Sequence, residues 1–212
     1  MKLFNPDHRL MRFLSRIGDL MLLNLAFLVG CLPVATIGAS WAALYAVIFR
    51  IRNQEDGQLV RHFFRAWKQN LKQSVPEELI LAAIGFVLYM DWNAVAAAGL
   101  GAFWVAATII LIAVLCFAAA YTPPLTARFD SKPLRTIRNA LRISVLHPLR
   151  SAWLSVLFFF PVILFAVSPA VFLAGSIVWA VIGFAGTAWL SAPAFLNVFA
   201  LYEPRTPENS EA

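Results

Sequence analysis

The chain has few charged residues and few of the side chains that bind metals or perform catalysis. Only 13% of its 212 residues are charged, against about 25% in ordinary soluble domains, whereas 61% are hydrophobic. Two cysteines and three histidines are present, and none has the spacing of a metal site or a disulfide framework. No phosphate loop, dinucleotide fingerprint, zinc-protease or nucleophile-elbow motif occurs. We therefore expect no enzyme, no metal site and no cofactor, and a bilayer as the solvent.

The longest hydrophobic run covers residues 17–49 and contains a single charge, Asp19. As one helix it would be about 50 Å long, well beyond the roughly 30 Å of a bilayer core. Pro33 and Gly38 mark a break, so we expect a hairpin that returns the chain to the side from which it started. The two predicted spans are 17–33 and 37–50.

The remaining hydrophobic runs predict four further spans, at 77–92, 100–122, 151–167 and from 170 past 189. The predicted fold is therefore all-α, a polytopic membrane helix bundle of about six spans. We expect one integral membrane domain over 1–202 and a polar, disordered tail over 203–212.

The lysines and arginines predict which side of the membrane each connection occupies. Of the 17, four precede residue 17, six lie in 50–72, six lie in 128–150, and Arg205 is the last. Basic connections face the cytoplasm, and all can do so only if even numbers of spans separate them. We expect a multi-pass protein of the plasma membrane with both termini cytoplasmic.

Two basic segments have the pattern of cytoplasmic amphipathic helices that lie in the membrane surface. In 58–72, apolar and aromatic residues recur at helical spacing on one face, with cations on the other. In 127–150, Leu134, Ile137, Leu141 and Val145 form the apolar stripe. These patterns predict binding to anionic lipids and not to nucleic acid. The predicted membrane-surface cations are Arg61, Arg65, Lys68, Lys72, Arg135, Arg138 and Arg142.

The two basic segments also suggest an internal repeat. Each is followed by a span, a short turn and another span, at an offset of about 77 residues. Two parallel half-units and a coincidence of composition both remain open. Similarly, 28–31 has the form of a lipoprotein processing box, and both lipidation of Cys31 and a chance match remain open.

Five polar or flexible positions in the hairpin form the candidate substrate site: Asp19, Asn24, Thr36, Gly38 and Ser40. Asp19 could be functional or could pair with Arg16 near the membrane edge. Asn24 could serve a polar site or join two helices by hydrogen bonds. The 36–40 turn could bind an anion at a helix N-terminus or could cap its own helix.

A set of motifs in the first half of the chain is characteristic when taken together: Gly18-Asp19-Leu20, Asn24, 32–40 with 42–45, Phe63-Phe64, and 68–73. In these motifs the chain resembles the YesL family of bacterial membrane proteins, a family of unknown function. The resemblance implies a small integral membrane protein, often encoded near carbohydrate uptake systems, and it supplies no catalytic residues.

Two functions remain open from these observations. The first is an accessory or regulatory partner of another membrane protein complex, such as a carbohydrate transporter. The second is a small transporter or channel that uses the polar site near Asn24 and 36–40. An intramembrane enzyme has little support, because no pair of catalytic groups is visible.

Overall fold

The computed structural model describes residues 9–53 and 57–200, and within these residues the chain is helical and contains no strand. The all-α prediction is therefore confirmed. The predicted tail at 203–212 lies outside the described residues, as does the start of the N-terminal basic segment. The helices are α1 (Arg9–Gly30), α2 (Ile37–Arg52), α3 (Leu59–Ala97), α4 (Ala102–Arg128), α5 (Pro133–Leu146), α6 (Pro148–Val167), α7 (Pro169–Ala174), α8 (Ser176–Val178) and α9 (Phe184–Phe199).

Five stretches of the described residues are helical, long and apolar enough to cross a membrane. They are Val34–Arg52, Leu59–Ala97, Ala102–Arg128, Pro148–Val167 and Ser176–Phe199. This confirms a membrane helix bundle. The first stretch, which contains α2, differs from the others, since 61% of its apolar window is buried inside the protein against 6–22% for the other four. The apolar residues of α2 are thus mostly buried in the core, whereas most residues in the apolar windows of the other four stretches face outward.

Helix α3 joins two segments that the sequence pattern separates. The predicted surface helix at 58–72 and the predicted span at 77–92 form one continuous helix of 39 residues, about 58 Å long, with Pro76 inside it. Leu59, Phe63 and Trp67, from the predicted lipid-facing side, pack instead on the hydrophobic core. The first half of α3 is therefore a packed element of the bundle, with its apolar face turned mainly toward protein.

Aromatic rings on α2 hold the hairpin against α6 and α9. The Trp41 ring lies 4.7 Å from Phe158 of α6, and the Tyr45 ring lies 5.5 Å from Phe195 of α9. The Tyr45 hydroxyl shares a 3.0 Å hydrogen bond with Ser191. Stacked and edge-to-face pairs of this kind stabilise a core beyond their area burial. The hairpin is thus fixed to the C-terminal half of the chain.

Helix α5 has three distinct faces. The buried face, which packs on the bundle, consists of Thr136, Ala140, Ile143 and Ser144. Of the predicted apolar stripe, Leu134 and Val145 are more than half exposed, and all three arginines of α5 are exposed. An exposed apolar stripe beside an exposed basic stripe suits a helix at a membrane surface.

Candidate functional site

Asn24 is fully buried on α1 and binds a distorted segment between α8 and α9. Residues Trp179–Gly183 form a π-helical turn, which displaces backbone groups from their usual partners. The Asn24 amide donates to the carbonyl oxygens of Trp179, at 3.0 Å, and Ala180, at 2.7 Å. Its side-chain oxygen accepts a 3.0 Å hydrogen bond from the Ala185 N–H. Asn24 therefore joins α1 to the C-terminal region through these three hydrogen bonds.

The hydroxyl groups of Thr36 and Ser40 also form hydrogen bonds, and they form them with nearby backbone carbonyls. Thr36 Oγ1 donates to the carbonyl oxygens of Gly30 and Pro33, at 2.8 and 2.7 Å. Ser40 Oγ donates to the Thr36 carbonyl oxygen at 3.0 Å. The contact with Gly30 satisfies a carbonyl at the C-terminal end of α1, where helical partners are lacking. The Pro33 carbonyl also accepts from the Thr36 N–H, and Ser40 bonds back to the carbonyl at which α2 begins. Neither hydroxyl caps the start of α2.

The N-terminus of α2 does bind an anion, which is a side chain of this chain. The Gly38 N–H donates a 3.0 Å hydrogen bond to Oε2 of Glu78 on α3. A carboxylate at this position is stabilised by the partial positive charge of the helix N-terminus. A Cβ at Gly38 would lie 3.3 Å from the same oxygen, so glycine permits this close approach.

Next to Glu78, the carboxylate of Glu77 is buried at 2% exposure and joins three helices. Its oxygens accept hydrogen bonds from Thr126 Oγ1 of α4, at 2.7 Å, and from Gln73 Nε2, at 3.2 Å. Gln73 Nε2 also donates to Thr136 Oγ1 of α5 at 3.0 Å, and Thr136 shares a 2.7 Å hydrogen bond with Ser131. A buried carboxyl group of this kind in a membrane helix is costly to ionise, and it marks a functional candidate.

Glu77 and Glu78 lie at a pocket of about 290 Å³ between α2, α3, α4 and α6. Its wall combines the two carboxylates and Ser74 with the aromatic rings of Trp41 and Phe158. The described residues that line it include no lysine, arginine or histidine. The pocket is thus acidic and largely apolar, and it is the candidate site of the protein.

The structure brings together only part of the predicted site. Thr36, Gly38 and Ser40 are neighbours, whereas the hydrogen bonds of Asn24 go to the segment between α8 and α9. Asp19 lies 3.9 Å from Arg16 at the surface, and both line a groove of about 850 Å³ with residues 57–61. Within the described residues, no group of three or more histidine, cysteine or acidic side chains could hold a metal ion.

The predicted membrane-surface cations are exposed on two helices. The four on α3 lie in its first half, and the three on α5 lie beside the exposed apolar stripe. The seven cations are Arg61, Arg65, Lys68, Lys72, Arg135, Arg138 and Arg142.

Sequence reasoning placed Glu77 and Glu78 in the first turn of a span and did not identify them as site residues. Two signals were available. Adjacent glutamates directly after Pro76 open an otherwise apolar segment, and Gln73 lies one helical turn before Glu77, on the same face. The contributions of Thr126 and Gly38 depend on packing between distant helices and leave no local pattern.

The family model described as "Protein of unknown function, DUF624" matches residues 20–92. The matched segment contains Asn24, the 36–40 turn and both glutamates. The match confirms the resemblance to the YesL family, which is the known membrane family with a DUF624 domain. No curated protein and no solved structure matches the chain.

Proposed function

We propose that this chain, whose residues 20–92 match the DUF624 family model, is an accessory or regulatory partner of another membrane system, such as carbohydrate uptake. One observation carries the proposal. Asn24, a fully buried polar side chain of the predicted transport site, has both its amide nitrogen and its oxygen bound to backbone groups of the same chain. Bound in this way, Asn24 acts as a structural link between helices and is not available to a passing solute.

The surface of the chain supports the same proposal. The described residues expose apolar side chains along the second half of α3, the first half of α4 and most of α6, and exposed cations cluster on α3 and α5. Such a surface fits a protein that rests among lipids with anionic headgroups and contacts other membrane helices.

The test compares transport by the isolated protein with transport in cells. We expect liposomes that contain only the purified chain to show no sugar or potassium flux above empty liposomes. We expect deletion of the gene in its own host to change the uptake rate of a carbohydrate several-fold, and the wild-type gene supplied in trans to restore it. Unchanged uptake of every carbohydrate tested would contradict the accessory role.

A second candidate function, a small transporter, is favoured by the buried carboxylate of Glu77. Its hydrogen bonds connect α3 to α4 directly and to α5 through Gln73. Polar chains of this type occur in proton-coupled transporters. Flux in liposomes that is lost in Glu77→Gln and kept in Asp91→Asn, on the same helix, would establish this function in place of the first.

A further inference from the structure

The pocket between α2, α3, α4 and α6 is lined by two carboxyl groups and by no basic side chain of the described residues. Glu77 accepts hydrogen bonds from neutral side chains only, and Glu78 accepts one from the backbone N–H of Gly38. Neither carboxylate forms an ion pair with a residue that the structure describes. The N-terminus of α2 supplies only about half a positive charge. A cation bound between the two carboxyl groups would form the ion pairs that the lining residues do not supply, so the pocket suits a cation better than an anion.

A second observation, independent of the carboxylates, points to a ligand in the same pocket. Ser74 lines the pocket with 3% of its surface exposed, and its hydroxyl has no hydrogen-bond partner among the described residues. Buried hydroxyl groups in native proteins are nearly always paired. The Ser74 hydroxyl therefore lacks the partner that a buried hydroxyl usually has, and a polar group bound in the pocket would supply one.

The remaining wall of the pocket restricts the type of cation. Trp41 and Phe158 lie 4.7 Å apart between ring centroids, and Phe159, Leu81 and Ile37 complete the apolar surface. Aromatic faces attract organic ammonium groups, and apolar walls bind the body of such a ligand. The volume of about 290 Å³ is near the lower end of the range for small-molecule sites.

We propose that this pocket binds an organic ammonium ion with a short apolar or aromatic body, its ammonium group at Glu78, Glu77 and the Ser74 hydroxyl and its body against Trp41 and Phe158. The inference goes beyond the accessory role and does not depend on it, because a regulatory partner and a transporter could both use such a site.

The first experiment measures binding to the full chain in nanodiscs of zwitterionic phosphatidylcholine by isothermal titration calorimetry. The probe is 2-phenylethylammonium, and its matched control is 2-phenylethanol, which has the same ring and chain length without the charge. We expect saturable binding of one ammonium per chain and at least about tenfold weaker binding of the alcohol. Equal binding of the two probes, or no saturable binding of the ammonium, would overturn the proposal.

The second experiment uses variants. Glu78→Gln keeps an acceptor for the Gly38 N–H and removes the charge, so we expect about tenfold weaker ammonium binding with little change in melting temperature. Glu77→Gln and Ser74→Ala should also weaken binding. Asp91→Asn on the same helix and Phe160→Leu on α6 lie outside the pocket wall and should leave binding within about twofold. The proposal fails if Asp91→Asn weakens binding as much as Glu78→Gln does.

Discussion

The backbone N–H of Gly38 donates a 3.0 Å hydrogen bond to the carboxylate of Glu78, so the start of α2 lies level with the middle of α3. Glu78 divides α3 into two halves of about 29 Å each, and each half is as long as a bilayer core is thick. The first half exposes four cations, and the second exposes apolar residues such as Leu79, Phe86 and Val87. The second half of α3 is therefore suited to contact with the lipid hydrocarbon core.

This contact changes the expected position of the hairpin. The sequence pattern places the turn between α1 and α2 on the external side of the membrane, after the predicted span 17–33. It places Glu78 on the cytoplasmic side, at the start of the predicted span 77–92. In the structure the two are in direct contact, and α2 packs beside the basic half of α3. Because the apolar surface of α2 is mostly buried in the protein, its composition is explained by the core and requires no crossing.

The first prediction concerns the side of the membrane on which each segment lies. In a background without Cys31 and Cys116, Arg65→Cys, Arg138→Cys and Val34→Cys should all react with an impermeant maleimide from one side. Leu100→Cys, in the loop after α3, should react from the other side, because the apolar half of α3 separates it from them. The measurement compares right-side-out and inverted vesicles. Labelling of positions 65 and 138 from opposite sides would contradict the placement of both basic segments on one side of the membrane. Labelling of position 34 from the same side as position 100 would show that the hairpin crosses the membrane.

The second prediction concerns the close approach at Gly38. Gly38→Ala places a Cβ 3.3 Å from the Glu78 carboxylate and 3.5 Å from the Ser74 carbonyl oxygen. We expect the variant to be less stable than Gly186→Ala by about 1–2 kcal/mol, because a Cβ at Gly186 meets nothing within 4 Å. Unfolding in detergent with increasing denaturant measures the difference. Equal free energies of unfolding for the two variants would show that the contact is not tight.

The third prediction concerns the structural role of Asn24. Asn24→Leu removes three hydrogen bonds and leaves the carbonyls of the π-helical turn without these partners, so we expect a loss of about 2 kcal/mol or more. Asn93→Leu is the matched control, since the Asn93 amide is exposed and bonds only to the Tyr89 carbonyl of its own helix. Thermal unfolding followed by tryptophan fluorescence measures both. Similar melting temperatures for the two variants would rule out a structural link at Asn24.

The fourth prediction concerns the hydrogen bond between Thr126 and Glu77. Thr126→Val leaves the buried carboxylate with one donor fewer, and we expect a loss of about 1–3 kcal/mol. Thr122→Val on the same helix should cost less, because the Thr122 hydroxyl bonds to a carbonyl of its own helix, that of Ala118. A double-mutant cycle with Glu77→Gln should give a coupling energy of at least about 0.5 kcal/mol for Thr126 and near zero for Thr122. Additive effects at Thr126 would mean that the contact contributes nothing.

Much of the fold follows from local patterns. The break at Pro33 and the existence of the four further long apolar helical stretches follow from hydropathy, proline chemistry and helical spacing. The junction at Pro76 does not follow, because a proline in a helix can either end it or be tolerated when the packing compensates. The candidate pocket was missed for a related reason. From the sequence alone, a glutamate at the end of a predicted span is expected to be exposed to solvent, and only the packing of another helix over it shows that it is buried.

The sequence by itself determined that this chain is helical, that it belongs in a bilayer and that seven of its cations lie on two helices, because composition and periodicity act residue by residue along the chain. Only the tertiary structure decided which apolar helix faces protein and which faces lipid, because both environments select the same side chains. It also decided that Glu77 and Glu78 share a pocket with Trp41 and Phe158, because the partners of a buried charge come from helices far apart in the chain.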